Sequence, residues 1–114
     1  MRMRLLGLAA VAVALPTFAL AAMNMGGADG SDEGKAFKDA NDKMMQGMAI
    51  EPTGDADKDF VMMMIPHHQG AIDMAEIELR YGKDPELRKL ADSIIAAQKT
   101  EIAQMRQWQA KHGG

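Results

Sequence analysis

Three stretches of the chain place their hydrophobic residues at the 3.6-residue spacing of an amphipathic α-helix. They cover residues 31–50, 56–81 and 85–111, and the segments between them are short. The alternation of polar and apolar residues that is typical of a β-strand does not occur, and no segment is repeated. The pattern predicts an all-α fold, a small antiparallel bundle of three helices. Because three helices leave much apolar surface uncovered, we expect self-association to complete a four-helix or larger assembly.

Polar and turn-forming residues mark the ends of these helices. Ser31, with two acidic residues after it, is typical of a helix start. Residues 51–55, with the sequence EPTGD, indicate a loop, and Gly82 follows the second stretch as a C-terminal cap. Asp84 followed by Pro85 is the usual combination of an N-cap and a first helical position. Residues 31–114 are therefore predicted to form one helical-bundle domain.

The second helix is apolar around most of its circumference. On a helical wheel of about 100° per residue, its polar residues fall within about 60° of one another. These residues are Lys58, Gln69, Asp73, Glu76 and Arg80. A helix with so narrow a polar side is expected to lie at the centre of the bundle and to pack against neighbours on two sides.

The first 21 residues have the features of a secretory signal peptide. Arg2 and Arg4 give a basic start, residues 5–20 are apolar, and Ala19-Leu20-Ala21 fits an A-x-A cleavage site. We therefore expect residues 1–21 to be removed after export, and the mature protein to be periplasmic.

A membrane anchor is the alternative interpretation of this segment, because about 18 apolar residues can span a bilayer. Pro16, the small residues and the cleavage pattern disfavour it, so we expect no membrane-embedded segment after processing. Residues 22–30 are rich in glycine and predict a flexible leader. Met23 and Met25 in this leader could act as additional soft ligands, but a disordered tail is the simpler account of them.

Charge and composition exclude some classes of partner and ligand. Without the signal peptide, 11 Lys and Arg stand against 16 Asp and Glu, a net charge of −5, whereas nucleic-acid binding needs a basic surface. No cysteine is present, so neither a disulfide nor a thiolate metal site can form. Ten methionines remain in 93 residues, and an oxidising compartment does not consume thioethers by disulfide formation. The composition therefore permits a soft-metal site of thioether and imidazole ligands.

Residues 61–75 concentrate these ligand types in the sequence VMMMIPHHQGAIDMA. On the wheel, four of them form one connected stripe of soft donors along the helix. They are Met63, Met64, His67 and Met74. Methionine is also a common core filler, so each of these methionines taken singly fits a core position. Two adjacent histidines beside them favour a metal site.

The neighbours of this stripe have less certain positions. His68 lies about 100° away from it, and Met64 can approach either histidine. Met62 falls on the polar side of the helix and is predicted to point toward solvent. Pro66 removes a backbone hydrogen bond from the helix interior, so wheel angles beyond it are approximate.

The other two helices add candidate ligands. Met44 and Met48 share one face of the first helix and could be ligands or core. Glu101 interrupts the apolar stripe of the third helix, where a carboxylate needs a partner. We expect that partner to be a histidine of the second helix, with Glu101 orienting a metal-bound imidazole from outside the ligand set; alternatively, Glu101 reaches water at the end of the bundle. His112, close to the C-terminus, is expected to be solvated.

The chemistry of the candidate site follows from ligand softness. Thioether and imidazole ligands suit Cu(I) and, by the same logic, Ag(I), whereas harder ions prefer carboxylates. Motifs of catalysis are missing: the sequence has no H-E-x-x-H, no Glu-x-x-His repeat of a di-iron bundle, no phosphate-binding glycine loop and no cysteine nucleophile. The sequence therefore predicts metal binding rather than an enzyme.

The segments DFVMMMIPHHQGAIDMA and EIAQMRQW, with a methionine-rich first helix, resemble the bacterial domain of unknown function family 305. The resemblance covers nearly all of the mature chain, and members of the family include the CopM-like periplasmic copper-binding proteins. It implies a ferritin-like helical bundle in which methionine and histidine bind Cu(I) and Ag(I). The matching candidate ligands are Met44, Met48, Met63, Met64, His67, His68 and Met74, and the C-terminal motif contains Glu101, Met105 and Trp108.

These observations predict an exported Cu(I)-binding protein that sequesters copper, confers resistance or hands the ion to a partner. A copper exporter or a cuproprotein would be such a partner, although the sequence names none. One alternative is a bundle with a structural or partner-binding role, whose Met and His stripe is core or an oligomer interface. Another is a metal-dependent enzyme of the ferritin-like class.

Overall fold

Three long helices make up almost all of the part of the chain that the structure, a computed structural model, describes, which is residues 31–114. The helices are α1 (Asp32–Met48), α2 (Ala56–Tyr81) and α3 (Pro85–Lys111), and no strand occurs within the described range. The predicted all-α fold is confirmed, and each predicted helix end agrees to within two residues. α2 continues through Pro66 as a single helix.

The predictions for the N-terminal segment lie outside the described residues. They are the signal peptide over residues 1–21 and the leader over residues 22–30, including Met23 and Met25. Within residues 31–114, none of the three helices is long and apolar enough to cross a bilayer.

Short polar side chains cap the start of every helix. Ser31 Oγ accepts a hydrogen bond from the Gly34 amide at 3.0 Å, and Asp84 Oδ1 accepts one from the Leu87 amide at 2.9 Å. Asp55 accepts from two amides at the start of α2, at 3.1 and 3.2 Å. Each cap satisfies amides that have no partner inside the helix, which explains why these residues marked the boundaries in the sequence.

The turn between α2 and α3 depends on an arginine as well as on a glycine. Gly82 caps α2 in an extended conformation, with φ −71°, rather than in the left-handed conformation common at helix ends. Arg88 Nη1 donates to the carbonyl oxygens of Leu79 at 2.6 Å and Gly82 at 3.0 Å. A cation at this position satisfies terminal carbonyls and opposes the negative end of the α2 dipole.

α2 lies between the other two helices, as its narrow polar side predicted. It packs against α1 on one side and α3 on the other, whereas no Cα atom of α1 lies within 8 Å of one in α3. The three helices are antiparallel to their neighbours and form a single layer. A layer of this kind leaves one long side of α2 open between α1 and α3.

Two glycines bring α1 close to α2. A Cβ atom at Gly47 would lie 2.7 Å from Cβ of Pro66, and one at Gly70 would lie 2.5 Å from Sδ of Met44. Larger residues would therefore push the helices apart, and each glycine lies against a side chain of the other helix. The contact continues on the polar side, where Lys43 Nζ lies 3.7 Å from Asp73 Oδ2.

The hydrophobic core is thin. Among the described residues, only six apolar side chains are less than 9% exposed, and none of any type falls below 2%. The six are Ala40, Val61, Ile72, Ala75, Ala91 and Ile102. The helices therefore bury only the edges where they meet, and much of their apolar surface remains in contact with solvent.

Candidate metal centre

The predicted soft donors of α2 lie on the side of the helix that neither neighbour covers. Met63 and Met74 are each 39% exposed, and His67 is also exposed. His67 is one helical turn after Met63 and two turns before Met74, so the three side chains follow one line. They are therefore outside the core of the described domain.

Residues of α2 and α3 near this line form a mainly apolar surface, which we name the open face; Asp57, Glu78 and Gln104 also line its pockets. It comprises Phe60, Met63, His67, Ala71 and Met74 of α2, and Leu87, Leu90, Ile94, Met105 and Trp108 of α3. Phe60 is 59% exposed, and Leu87 and Leu90 are each 52% exposed. Both leucines belong to the apolar stripe of α3, so part of that stripe faces solvent.

His68 has an environment unlike that of His67. Its side chain is only 10% exposed at the α2–α3 contact, and Nε2 contacts a carboxylate oxygen of Glu101, which is 54% exposed. The expected pairing of Glu101 with a histidine is therefore observed. The two imidazole rings have centroids 6.2 Å apart and are tilted by 60°, so adjacent residues in the sequence present their nitrogens in different directions.

The second ring nitrogen of His68 is buried without a hydrogen-bond partner among the described residues. A carboxylate only accepts, so Nε2 carries the proton that binds Glu101, and Nδ1 of the neutral ring retains its lone pair. Carboxylate–imidazole pairs of this kind orient ligating histidines in metal proteins. Met64, which is half-buried, lies one turn before His68 and also precedes His67 by three residues.

The methionines of α1 occupy different positions. Met44 is half-buried in the α1–α2 contact, where its thioether covers Gly70, a residue one turn from both His67 and Met74. Met48 is half-buried one turn further along α1. Met45, which was not a candidate, is 56% exposed and provides a comparison for the other methionines.

The prediction that Met62 points toward solvent is wrong. Met62 is half-buried and lines a groove with Ile50 after α1, Ile65 of α2 and Arg106 of α3. The wheel placed it correctly on the polar side of α2, but the end of α1 and the outer side of α3 extend over that position.

His112 is exposed, as expected, but it is not an isolated solvated side chain. Its ring stacks on Trp108, with centroids 4.2 Å apart and planes within 14°. Its Nδ1–H donates to the carbonyl oxygen of Trp108 at 2.7 Å. The four-residue spacing of the two residues is the signal in the sequence that could have indicated this contact.

Harder ligands do not converge anywhere in residues 31–114. No group of three or more His, Cys, Asp or Glu side chains in this range could hold a metal ion. Asp39 and Asp42 instead pair with Lys35 and Lys38 on the outer side of α1.

Comparison with known proteins assigns the chain to a family. Residues 11–109 match the domain of unknown function DUF305. The chain belongs to this family. An uncharacterized protein of Acanthamoeba polyphaga mimivirus is 43% identical over 49 residues, which are 43% of this chain and 32% of the viral protein. The matched segment thus spans about a third of that relative.

Proposed function

We propose that this protein is an exported Cu(I)-binding protein of the periplasm, which also accepts Ag(I), and that it sequesters copper, contributes to copper resistance or hands the ion to a partner. The ligands are methionine thioethers and histidine imidazoles of α2, supported by α1. The partner that receives or supplies the ion would be a copper exporter or another cuproprotein.

The observation that carries this proposal is the exposure of Met63, His67 and Met74 on one line of α2. Methionines that serve only as core fillers would be buried. Thioether and imidazole together are the donor set that selects Cu(I) over harder ions.

His68 and Glu101 support the same chemistry from beneath this line. In the neutral ring, the proton on Nε2 binds Glu101 and the lone pair on Nδ1 has no protein partner. Glu101 therefore fixes which nitrogen is free for a metal, which is the function of a carboxylate placed behind a ligating histidine.

One observation favours the alternative in which the Met and His stripe binds no metal. The open face could serve only as a contact surface for a partner. The enzyme alternative has no comparable observation among the described residues. Copper binding and contact formation are also compatible with each other, so the deciding measurement is copper affinity.

An anaerobic titration of Cu(I) against a competing chelator tests the proposal, with protein purified after export. We expect tight binding by the wild type and a loss of about 100-fold or more, equivalent to about 2.7 kcal/mol, in the variant Met63→Leu/His67→Ala/Met74→Leu. Because these three side chains are exposed, the variant should keep its helical content.

Met45→Leu is the matched control, because it removes an even more exposed thioether from the outer side of α1. It should bind Cu(I) as tightly as the wild type. A wild-type Kd of about 1 µM or weaker, or equal affinity in the triple variant and the control, would overturn the proposal.

A further inference from the structure

We propose that the open face is the contact surface between two copies of this chain, and that one Cu(I) ion binds where their two His67 side chains meet. The second part rests on the proposed function, whereas the first part concerns the apoprotein and stands independently.

The open face exposes several large apolar side chains, which is typical of a contact surface. Phe60, Leu87 and Leu90 are more than half exposed, and Met63 and Met74 are each 39% exposed on the same surface. α2 is about 39 Å long, and two adjacent helices present a width of about 20 Å. The face thus offers on the order of 800 Å² per copy, which is the area that each partner contributes to a stable protein complex.

Two pockets on the open face explain why a second copy fits it. One, of about 410 Å³, lies at the end where Phe60 faces Met105 and Trp108. The other, of about 290 Å³, lies at the opposite end, where Met74 faces Leu87 and Leu90. Each pocket is open and lined mainly by apolar side chains, so each needs an apolar occupant.

A two-fold axis that crosses α2 at right angles supplies these occupants from the other copy. Phe60 and Met74 lie seven residues on either side of His67. With the axis at His67, the Phe60 end of one copy therefore covers the Met74 end of its partner, and the reverse holds at the other end. This is the self-complementarity that a two-fold interface requires.

The same axis brings two imidazoles together. Each copy contributes His67, with Met63 and Met64 within one helical turn of it. A single copy presents this donor set on one side only, with solvent on the other, whereas two copies surround the ion with soft ligands. The structure thus assigns His67 to a site that is incomplete without the partner copy.

Sedimentation equilibrium and copper stoichiometry of the exported protein test both parts. We expect the apoprotein to be a dimer at micromolar concentrations and to bind one Cu(I) per two chains. Leu90→Glu and Phe60→Glu, at opposite ends of the face, should each give a monomer that keeps the wild-type circular dichroism spectrum. Neither residue is a proposed ligand, yet each variant should bind Cu(I) about 100-fold more weakly, because half of the ligands are lost.

Met45→Glu is the matched control, since it places the same charge at an exposed methionine outside the open face, and it should remain a dimer with wild-type copper binding. A wild-type monomer, or a monomeric variant with undiminished affinity and one Cu(I) per chain, would overturn this inference while leaving the proposed function in place. A wild-type dimer without copper affinity would instead overturn the proposed function and the shared metal site, and would retain the dimer contact.

Discussion

Two apolar sides of α2 differ in their surroundings: α3 packs against one, whereas neither α1 nor α3 covers the other. Facing α3, Val61, Ile72 and Ala75 are no more than 6% exposed, whereas Phe60 and Met74 on the open face are 59% and 39% exposed. The side against α3 contains aliphatic residues, alanine and His68, and the open side contains Phe60, two methionines and His67. The difference indicates that one side of the helix holds the fold together and that the other is available for binding.

The adjacent histidines His67 and His68 differ in exposure in the same way. His68 is buried against α3 and contacts Glu101, whereas His67 is exposed on the open face. A rotation of about 100° along the helix is enough to separate the two environments. Variants on each side should therefore affect different properties of the protein.

The largest effect on stability is expected from Ile72→Ala. Ile72 is 3% exposed, so the substitution should lower the free energy of unfolding of the apoprotein by about 3 kcal/mol, through lost burial and the remaining cavity. Urea unfolding measures this change. Met45→Ala, on the outer side of α1, should change it by less than about 0.5 kcal/mol, and an equal loss in both variants would contradict the distinction between covered and open sides.

Cu(I) should stabilise the folded protein only by binding to the ligands on the open face. Free Cu(I) buffered at about 100 times the Kd should raise the free energy of unfolding by about 2.7 kcal/mol, because the ion binds the folded state. In the variant Met63→Leu/His67→Ala/Met74→Leu, whose Kd is expected to be at least about 100-fold higher, the same Cu(I) concentration should raise it by no more than about 0.4 kcal/mol. Thermal unfolding with and without Cu(I) measures the difference, and an equal rise in both proteins would show that the ion binds elsewhere.

Glu101→Leu tests the covered histidine. Removing the carboxylate leaves both ring nitrogens of His68 without a protein partner, which should cost about 1–3 kcal/mol of apoprotein stability. Glu101→Gln keeps an oxygen that accepts from Nε2 and should cost less. If the two variants unfold at the same urea concentration, the contact contributes nothing specific at this position.

The smallest effect concerns the loop before α2. The amide and hydroxyl of Thr53 donate to Asp59 Oδ1 at 2.9 and 2.8 Å and hold the pKa of this carboxyl below its usual value. Because the folded-state pKa is lowered, the stabilisation is complete above the unfolded value and is lost as the pH falls through the folded one.

In the variant Asp59→Asn, the free energy of unfolding should therefore fall less steeply as the pH is lowered from about 5 to about 2. Above this range, its pH dependence should match that of the wild type. Urea unfolding as a function of pH measures it. A variant whose stability falls with acid as steeply as that of the wild type would show that another group is responsible.

Local signals in the sequence were enough to predict the helices. Ser31, Asp55 and Asp84 carry side chains that accept hydrogen bonds from helix-start amides, and Pro85 is suited to a first helical turn. These interactions involve residues within a few positions of each other. These capping interactions do not depend on how the helices pack, so the helix ends could be predicted without knowledge of the tertiary structure.

The candidate site was predictable only in part. The helical period placed Met63, His67 and Met74 on one line, and the structure keeps them on one exposed side of α2. The same reasoning was wrong about Met62, because residues distant in the sequence, Ile50 and Arg106, extend over its side of the helix. A wheel gives the direction of a side chain but not what lies beyond it.

By itself, the sequence determined that residues 31–114 form three helices, that α2 is the central one, and that soft donors lie along one of its sides. Hydrogen bonds at helix ends and the spacing of apolar residues are local properties, and they are sufficient for these conclusions. Only the tertiary structure decided that α1 and α3 do not meet, which leaves the donor line uncovered, and that His68 rather than His67 contacts Glu101. Both depend on how closely and at what angle whole helices pack, which for α1 and α2 is set by Gly47, Gly70 and the side chains facing them.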